Sequence, residues 1–135
     1  MVTQYNSQID IIREVEIMYK LDHLNVIKLH SHFEDDFKIY LLLEYASGGT
    51  LKNKLDQKDR LSELESAQYF SQLTNAIKHL HSIDVFHRDI KPENILFDAE
   101  GRVKLADFGI ATYDSDDTEN LDFVGTEIYC APEMI

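Results

Sequence analysis

Residues 87–94, with the sequence HRDIKPEN, combine side chains that could move a proton and a phosphoryl group. Asp89 could accept a proton from a hydroxyl, and Lys91 could stabilise a phosphoryl group during transfer. The side-chain oxygen of Asn94 could ligate a magnesium ion. Charged clusters are also common on solvated loops, so this stretch alone does not define an active site.

Two further motifs follow in the chain, DFG at residues 107–109 and APE at residues 131–133. In this order, the three motifs resemble the catalytic loop, the metal-binding motif and the end of the activation segment of eukaryotic protein kinases. The resemblance extends over residues 11–135. It implies transfer of the γ-phosphoryl group of ATP to a protein hydroxyl, with ATP and Mg²⁺ as cofactors.

The resemblance implies roles for individual residues of these motifs. Asp89 corresponds to the base that orients the substrate hydroxyl and accepts its proton, and Asn94 and Asp107 correspond to the magnesium ligands. Lys91 is similar to the lysine that supports the transferred phosphoryl group in the serine/threonine class. Thr126 matches the threonine that braces the aspartate and the lysine in that class. The implied partner is therefore a protein substrate with a Ser or Thr acceptor.

The resemblance also implies a nucleotide pocket upstream of the catalytic loop. Leu43 matches the gatekeeper position, and backbone groups of Glu44 and Ala46 would hydrogen-bond to adenine. Leu96 would pack beneath the adenine ring. Glu14 matches the acid that pairs with the ATP-anchoring lysine, although an acid on a solvated helix face is the alternative interpretation.

A regulatory contact is implied near the end of the chain. Asp122 lies four positions before Thr126, where family members often carry a phosphorylated residue that binds the catalytic-loop arginine, here Arg88. We hypothesise that Asp122 pairs with Arg88 in place of a phosphate, and an ordinary solvated aspartate is the alternative. Thr118 and Ser115 are alternative phosphorylation sites.

Four apolar or aromatic side chains match the stack that links the two lobes of these enzymes: Met18, Leu29, His87 and Phe108. Ordinary core packing explains Met18 and Leu29 equally well. Glu93 matches an acid with which some family members recognise substrate arginine. Thr50, however, stands where many of them carry a second acid, which weakens a prediction of basic substrates.

The hydrophobic pattern predicts the elements that must position these residues. A helix is predicted from Ser7 to Leu21, a short one over residues 51–58, and a long helix from Ser62 to His81 with a buried apolar face. Short strands are expected at five places: Val26–Leu29, Ile39–Leu43, Val85–Phe86, Ile95–Phe97 and Val103–Leu105. Together they predict an α+β fold.

Composition limits the possible partners and the compartment. The 135 residues carry a formal net charge of −12, which disfavours nucleic acid and anionic lipid as partners because their phosphates would be repelled. No apolar run is long enough to span a membrane, and the N-terminal residues do not resemble a secretory signal. Cys130 is the only cysteine, so we expect an intracellular, cytoplasmic or nuclear protein. The oligomeric state is left open.

The chain also departs from the kinase pattern. The first glycine is Gly48, so a Gly-rich phosphate loop is absent before the hinge, and no lysine precedes Glu14. We therefore expect a partial kinase domain, truncated at both ends, with an N-lobe remnant (1–43), a hinge (44–50) and a C-lobe portion (51–135). Weak or absent activity and exposed apolar faces are expected for the isolated chain. The alternative is a non-catalytic, pseudokinase-like binding module.

Overall fold

The structure is a computed structural model that describes residues 8–36, 38–114 and 124–132. In these ranges the helices are α1 (Gln8–Lys20), α2 (Leu51–Lys58) and α3 (Glu63–His81). The strands are β1 (Leu29–Glu34), β2 (Ile39–Leu43), β3 (Val85–Phe86), β4 (Ile95–Phe97), β5 (Val103–Leu105) and β6 (Thr112–Tyr113). Short 3₁₀ turns occupy Pro92–Asn94 and Glu127–Tyr129. The predicted α+β class is confirmed.

The described strands form three antiparallel pairs, β1–β2, β3–β6 and β4–β5. Strands β2 to β5 have the predicted bounds, whereas the short strand β6 was not predicted. Only two residues long, β6 has too little sequence to show the alternation that identifies a strand. It exists because it pairs with β3, Val85 opposite Tyr113 and Phe86 opposite Thr112.

The strand predicted at Val26–Leu29 is wrong, because β1 begins where that prediction ended. Val26 and Ile27 are buried, but they lie against β5, where the N–H of Ile27 donates to the carbonyl of Leu105 at 2.9 Å. The more polar residues 29–34 instead pair with β2, from Leu29 opposite Leu43 to Glu34 opposite Ile39. Backbone pairing decided the strand here, and apolar content only marked burial.

The main hydrophobic core joins α1, the segment after it, β1, α3 and β5. Its buried members include Ile17, Met18, Leu21, Val26, Leu29, Ala76, Leu80, Val85, Leu105 and Phe108. A smaller cluster, formed by Ile95, Phe97 and Val103, lies under α2 and α3. Removal of apolar surface from water is the main favourable term for this assembly, at roughly 25 cal/mol per Å².

Helix α3 is long, as predicted, but its apolar face is only partly buried. Ala76 and Leu80 are buried, and Leu73 packs partly against both clusters. Leu64 and Phe70 are 69% and 72% exposed. The helical pattern therefore predicted the helix correctly, but the apolar residues in its first half are not buried as that pattern implied. This exposure agrees with the separate expectation that the chain has exposed apolar faces.

A polar network ties α3 to β5 and to the segment after α1. The Oε1 atom of Gln72 accepts hydrogen bonds from the side-chain amide of Asn25 at 3.1 Å and from the N–H of Val103 at 2.9 Å. Asn25 also donates to the carbonyl of Val103 at 3.0 Å, and its own carbonyl accepts from Leu105 at 2.8 Å. Because these groups are buried, their satisfaction fixes the position of β5.

In the described ranges, no helix combines the length and apolar character that crossing a lipid bilayer requires.

The junction between α2 and α3 contains an acid with a shifted pKa. Ser62 caps α3 in a capping box with Glu65, whose carboxylate accepts from the Ser62 N–H at 3.1 Å and from Lys58 at 2.7 Å. The Lys58 ammonium, followed by the two Ser62 groups, holds the pKa of Glu65 at about 2, below its usual 4.5. Ionised Glu65 therefore connects the end of α2 to the start of α3.

We predict that Glu65→Gln lowers the melting temperature near neutral pH and that the difference from wild type disappears on acidification. Because the folded pKa lies below the unfolded value, the stabilisation is present above pH 4.5 and is lost between pH 4.5 and about 2. Thermal unfolding monitored by circular dichroism from pH 7 to about pH 2 checks this. Glu63→Gln, in the same turn, is the control, and an equal pH dependence for both variants would contradict the prediction.

Candidate active site

The β4–β5 hairpin brings two of the predicted site residues together. Asn94 ends the 3₁₀ turn that leads into β4, and Asp107 lies two residues after β5. The N–H of Ala106 donates to the carbonyl of Asn94 at 2.9 Å, so the residue that precedes Asp107 is bonded directly to Asn94. Asn94 is buried and Asp107 is half-buried. The hairpin thus positions an amide and a carboxylate from distant parts of the sequence.

The carboxylate of Asp89 lies at the centre of a closed hydrogen-bonded cluster. Its Oδ1 atom accepts from the Thr126 hydroxyl at 2.7 Å, and its Oδ2 atom accepts from Lys91 at 2.7 Å and from Asn94 Nδ2 at 3.0 Å. Lys91 also donates to the Thr126 hydroxyl at 2.9 Å. All four residues that we predicted to act together at this site are therefore joined.

The cluster keeps Asp89 ionised. Burial raises the pKa of its carboxyl, but hydrogen bonds from Lys91, Thr126 and Asn94 more than offset this, so that the pKa lies below its usual value. The same contact with Asp89 raises the pKa of Lys91. At neutral pH the pair is a carboxylate and an ammonium. A carboxylate has further lone pairs, so Asp89 can still accept a hydrogen bond from a bound hydroxyl.

His87 supports the backbone that carries Asp89. Its Nδ1 atom accepts from the N–H of Asp89 at 3.2 Å, and its Nε2 atom lies 3.0 Å from the carbonyl of Ala106. These two contacts fit a neutral ring that carries its proton on Nε2, and burial lowers the pKa of His87, which favours the same state. The imidazole therefore acts as a fixed spacer between residues 89 and 106.

The four side chains predicted to form a stack are all buried. Met18, Leu29 and Phe108 belong to the main core cluster, and His87 contacts Phe108 edge to face with ring centroids 4.9 Å apart. Met18 of α1 and Leu29 of β1 thus share a core with Phe108, which contacts His87, two residues before Asp89. The core is in this way connected to the candidate site.

Two site residues have strained backbones, Arg88 with a φ of 65° and Asp107 with a φ of 67°. Left-handed conformations are costly for residues other than glycine, so the surrounding contacts must hold them. The Nε atom of Arg88 donates to the carbonyl of Ile110 at 2.8 Å. Gly125 lies so close that a Cβ there would be 2.7 Å from the carbonyl oxygen of Arg88. Only glycine lets the segment with Thr126 approach this closely.

The donor chemistry of Asn94 and Asp107 fits a magnesium ion. Asn94 donates through Nδ2 to both the carbonyl and the carboxylate of Asp89, which fixes the orientation of its amide. The Oδ1 atom of the amide takes no part in these two hydrogen bonds and is the atom that would ligate the metal ion. Asp107 contributes carboxylate oxygens, and magnesium prefers such hard donors in small number together with phosphate oxygens and water. Among the described residues, no group of three or more His, Cys, Asp and Glu side chains could hold a metal ion.

The residues predicted to contact adenine lie next to the same hairpin. Leu43, Ala46 and Leu96 are partly buried and pack against the main core. The segment after Ala46 is bonded to β4, because the N–H of Gly48 donates to the carbonyl of Phe97 at 2.7 Å. Glu44 is half-buried, with an ion pair to Lys104 at 2.7 Å.

Glu14 is buried, with 4% of its surface exposed, and therefore does not lie on a solvated helix face. A Cβ added at Gly109 would lie 4.0 Å from its Oε2 atom. Glu14 thus faces the DFG segment. Thr118, Ser115 and Asp122 fall outside the described residues, so the proposed contact of Asp122 with Arg88 stays a prediction.

Three residues that our sequence reasoning missed shape this site: Asn25, Gln72 and Lys104. Nothing in the local pattern marks Asn25 or Gln72, since their partners lie 47 and 31 residues away along the chain. The sequence did offer an indication for Lys104, because a lysine between two apolar residues of a short strand is expected to be buried and paired. All three residues of that strand are buried.

We predict that Thr126→Val loosens the Asp89 cluster, because it removes a hydroxyl that both donates to Asp89 and accepts from Lys91. The pKa of Asp89 should rise toward its usual value, and the free energy of unfolding should fall by about 1–3 kcal/mol, as for a lost hydrogen bond to a charged group. A carboxyl NMR titration and chemical denaturation measure the two effects. Thr126→Ser, which keeps the hydroxyl, should resemble wild type, and equal effects of both variants would contradict the prediction.

Comparison with known proteins gives the family. The model of the protein kinase domain matches residues 2–135. The chain is 41% identical over 132 residues to CBL-interacting serine/threonine-protein kinase 24 of Arabidopsis thaliana, covering 96% of the chain and 30% of that protein. It is 42% identical to the Aurora kinase of Schizosaccharomyces pombe, covering 91% of the chain and 34% of that protein.

NUAK family SNF1-like kinase 2 of Homo sapiens is 40% identical over 91% of the chain, and the match covers 20% of that protein. The chain thus spans between 20% and 34% of the length of the Aurora, NUAK and CBL-interacting relatives. Their similar identities do not favour one subfamily. Because the family model matches nearly the whole sequence, the chain belongs to the protein kinase domain family, and its relatives are serine/threonine kinases.

Proposed function

We propose that the natural protein that carries this sequence is a serine/threonine protein kinase, which transfers the γ-phosphoryl group of ATP to a Ser or Thr hydroxyl of a protein substrate. The observation that carries the proposal is the closed cluster of Asp89, Lys91, Asn94 and Thr126. It joins a carboxylate, an ammonium, an amide and a hydroxyl within 3.0 Å contacts. Phosphoryl transfer depends chiefly on such positioning and on charge.

In this proposal Asp89 accepts the hydrogen bond of the substrate hydroxyl and receives its proton as the phosphoryl group is transferred. Its lowered pKa ensures the ionised form, and its bonds to Lys91 and Thr126 fix its orientation. Lys91, beside Asp89, supplies positive charge to the phosphoryl oxygens. A fixed charge needs no reorganisation during the reaction, which lowers the barrier.

Asn94 and Asp107 would hold Mg²⁺, and Leu43, Glu44, Ala46 and Leu96 would line the adenine site. When bound, the metal ion would neutralise negative charge on the phosphates. The role of the protein here is to keep an amide and a carboxylate adjacent, which the Asn94–Ala106 hydrogen bond does. Glu14 would face this region from α1. We further propose that residues 44–50 form the hinge between the two lobes, 1–43 and 51–135.

The substrate is proposed to carry a basic residue near its acceptor. The Oε2 atom of Glu93 is buried and has no hydrogen-bond partner among the described residues. A buried acceptor without a partner is costly, and Glu93 as a whole is half-buried, so a rotation of its side chain would let a substrate guanidinium pair with this oxygen. The net charge of −12 also favours a basic protein partner over nucleic acid. Thr50 is used as the N-cap of α2 and adds no charge here.

An intracellular location, cytoplasmic or nuclear, is part of the proposal. Cys130 is the only cysteine of the sequence and its thiol is free, as is usual in a reducing compartment.

A binding module of the pseudokinase kind is the second candidate. Such a module would hold nucleotide phosphates through Asn94 and Asp107 without transferring them. The two candidates differ in one measurable property, which is phosphoryl transfer that depends on Asp89.

We predict that Asp107→Asn weakens magnesium-dependent ATP binding by about tenfold or more, because it removes a metal-ligating charge. Calorimetry of the chain with ATP, with and without Mg²⁺, measures the effect. Asp114→Asn, the same change at an exposed position, is the control. Binding that responds neither to Mg²⁺ nor to Asp107→Asn would contradict the proposed nucleotide site.

In the natural protein, Asp89→Asn should retain ATP binding and lower kcat for a serine peptide by about a hundredfold or more, as expected for loss of a general base. Transfer of labelled phosphate to the peptide measures it. ATP binding without transfer in the wild-type protein would favour the binding module.

We predict that Glu93→Gln reduces the preference for basic substrates. The kcat/KM for a peptide with arginine on the N-terminal side of the acceptor should fall by about tenfold, as for one lost charge-assisted contact, while an arginine-free peptide is unaffected. Glu100→Gln, an exposed acid beyond β4, is the control. Equal losses on both peptides would show that Glu93 does not read the substrate.

A further inference from the structure

A buried ion pair lies behind the segment proposed to contact adenine. Lys104 of β5 donates to the Oε1 atom of Glu44, directly after β2, at 2.7 Å. The Lys104 side chain is 7% exposed and the Glu44 side chain is 26% exposed. An ammonium with so little access to water requires a charged partner, since its lost hydration must be replaced. Lys104 is therefore held in an ion pair with Glu44.

Glu44 is held from three directions. In addition to Lys104, its Oε2 atom accepts from the N–H of Lys28 at 3.2 Å, and its own N–H donates to the carbonyl of Lys28 at 2.8 Å. Both oxygens of the side chain and the backbone nitrogen are thus engaged. These contacts fix the first residue of the segment that runs from residue 44 to residue 49.

The other end of this segment is fixed to the same hairpin. The N–H of Gly48 donates to the carbonyl of Phe97 at 2.7 Å, and the N–H of Phe97 donates to the carbonyl of Gly49 at 2.9 Å. A Cβ at Gly48 would lie 2.8 Å from the Cβ of Phe97, so the approach is as close as glycine permits. Between the two anchors Tyr45 is 86% exposed, so its side chain adds little restraint.

Lys104 also connects this segment to the rest of the site. It lies opposite Leu96 in the β4–β5 register, so their side chains share one face of the pair. Three residues later the same strand leads to Asp107. The Lys104–Glu44 pair therefore links the backbone that would bind adenine to the strand that positions the candidate magnesium ligand.

We propose that Lys104 and Glu44 are a positioning pair that holds the backbone of residues 44–46 in the orientation that binds the adenine ring. The inference rests on the proposed function, because it concerns how that same site takes nucleotide. Neither charged group belongs to the Asp89 cluster, so loss of the pair affects nucleotide affinity and leaves the transfer step largely intact.

The test is Lys104→Met, which keeps the length and apolar character of the side chain and removes its charge. Lys28→Met is the matched control. It makes the same charge change beside Glu44, keeps the Lys28 backbone contacts, and breaks only an exposed pair with Asp22 at 3.3 Å, whose side chains are 56% and 88% exposed. Lys104→Arg, which keeps the charge, is the conservative variant.

In the natural protein, Lys104→Met should raise KM for ATP by about tenfold and change kcat by less than about twofold, which is the pattern of lost binding without loss of transition-state stabilisation. Lys28→Met should leave both constants unchanged, and Lys104→Arg should restore much of the affinity. An effect on kcat alone, or an equal effect of Lys28→Met, would overturn the proposal.

The double variant Lys104→Met with Glu44→Leu distinguishes a role of the pair in folding stability from a role in positioning the backbone. Replacing a buried ion pair by apolar side chains generally restores stability, so its melting temperature should return toward that of wild type. If KM remains raised in this stable variant, the pair positions the backbone. If KM returns together with stability, the pair serves folding only and the proposal is overturned.

Hydrogen exchange tests the positioning role independently of the proposed kinase function. In the chain without nucleotide, exchange of the amides of Glu44 and Gly48 should be about tenfold faster in Lys104→Met than in wild type, and unchanged in Lys28→Met. If wild type fails to bind ATP, the proposed function fails, and the exchange result still decides whether the pair holds the backbone. Unchanged exchange in Lys104→Met would refute the positioning role.

Discussion

The structure depends most on the contacts that surround one carboxylate, that of Asp89. This group accepts hydrogen bonds from Lys91, from Asn94 at the end of the 3₁₀ turn before β4, and from Thr126 just before the last 3₁₀ turn. A half-buried carboxylate is costly unless its lone pairs are used, and here three donors from two distant parts of the chain use them. The charge that would act on a substrate is thus also the charge that brings these segments together.

The β4–β5 hairpin joins distant segments in a similar way, through hydrogen bonds of the backbone. It bonds to Gly48 and Gly49 through Phe97, to the segment after α1 through Leu105, and to α3 through Val103. Each contact is a hydrogen bond from a buried backbone group, and such groups must be satisfied when water is excluded. The short strands therefore act as the common support for the residues proposed to contact adenine, to ligate magnesium and to act in catalysis, even though each strand has only three residues.

Several charged and polar side chains of the candidate site are buried. Lys104, Glu14, His87 and Asn94 are all nearly inaccessible to water, whereas ion pairs such as Lys28–Asp22 and Lys52–Asp56 are largely exposed. Exposed pairs contribute little to stability, and buried ones are strongly coupled to their surroundings. Among the described residues, a small number of charges are thus buried, where surrounding contacts control their geometry.

Elements with strong local signals and the residues of the candidate site were predictable from the amino-acid sequence. Periodicity predicted α3, short apolar runs predicted β4 and β5, and the motifs predicted roles for Asp89, Asn94 and Asp107. Local pattern failed where long-range pairing decides, as for β1, which formed from polar residues because β2 lies beside them. It also failed for the burial of Leu64 and Phe70, since a helical pattern defines a face but not what covers it. The pairing of Lys104 with Glu44 and the hydrogen bond between Asn25 and Gln72 could not be predicted, because these contacts join residues 60 and 47 positions apart through the packing of the chain.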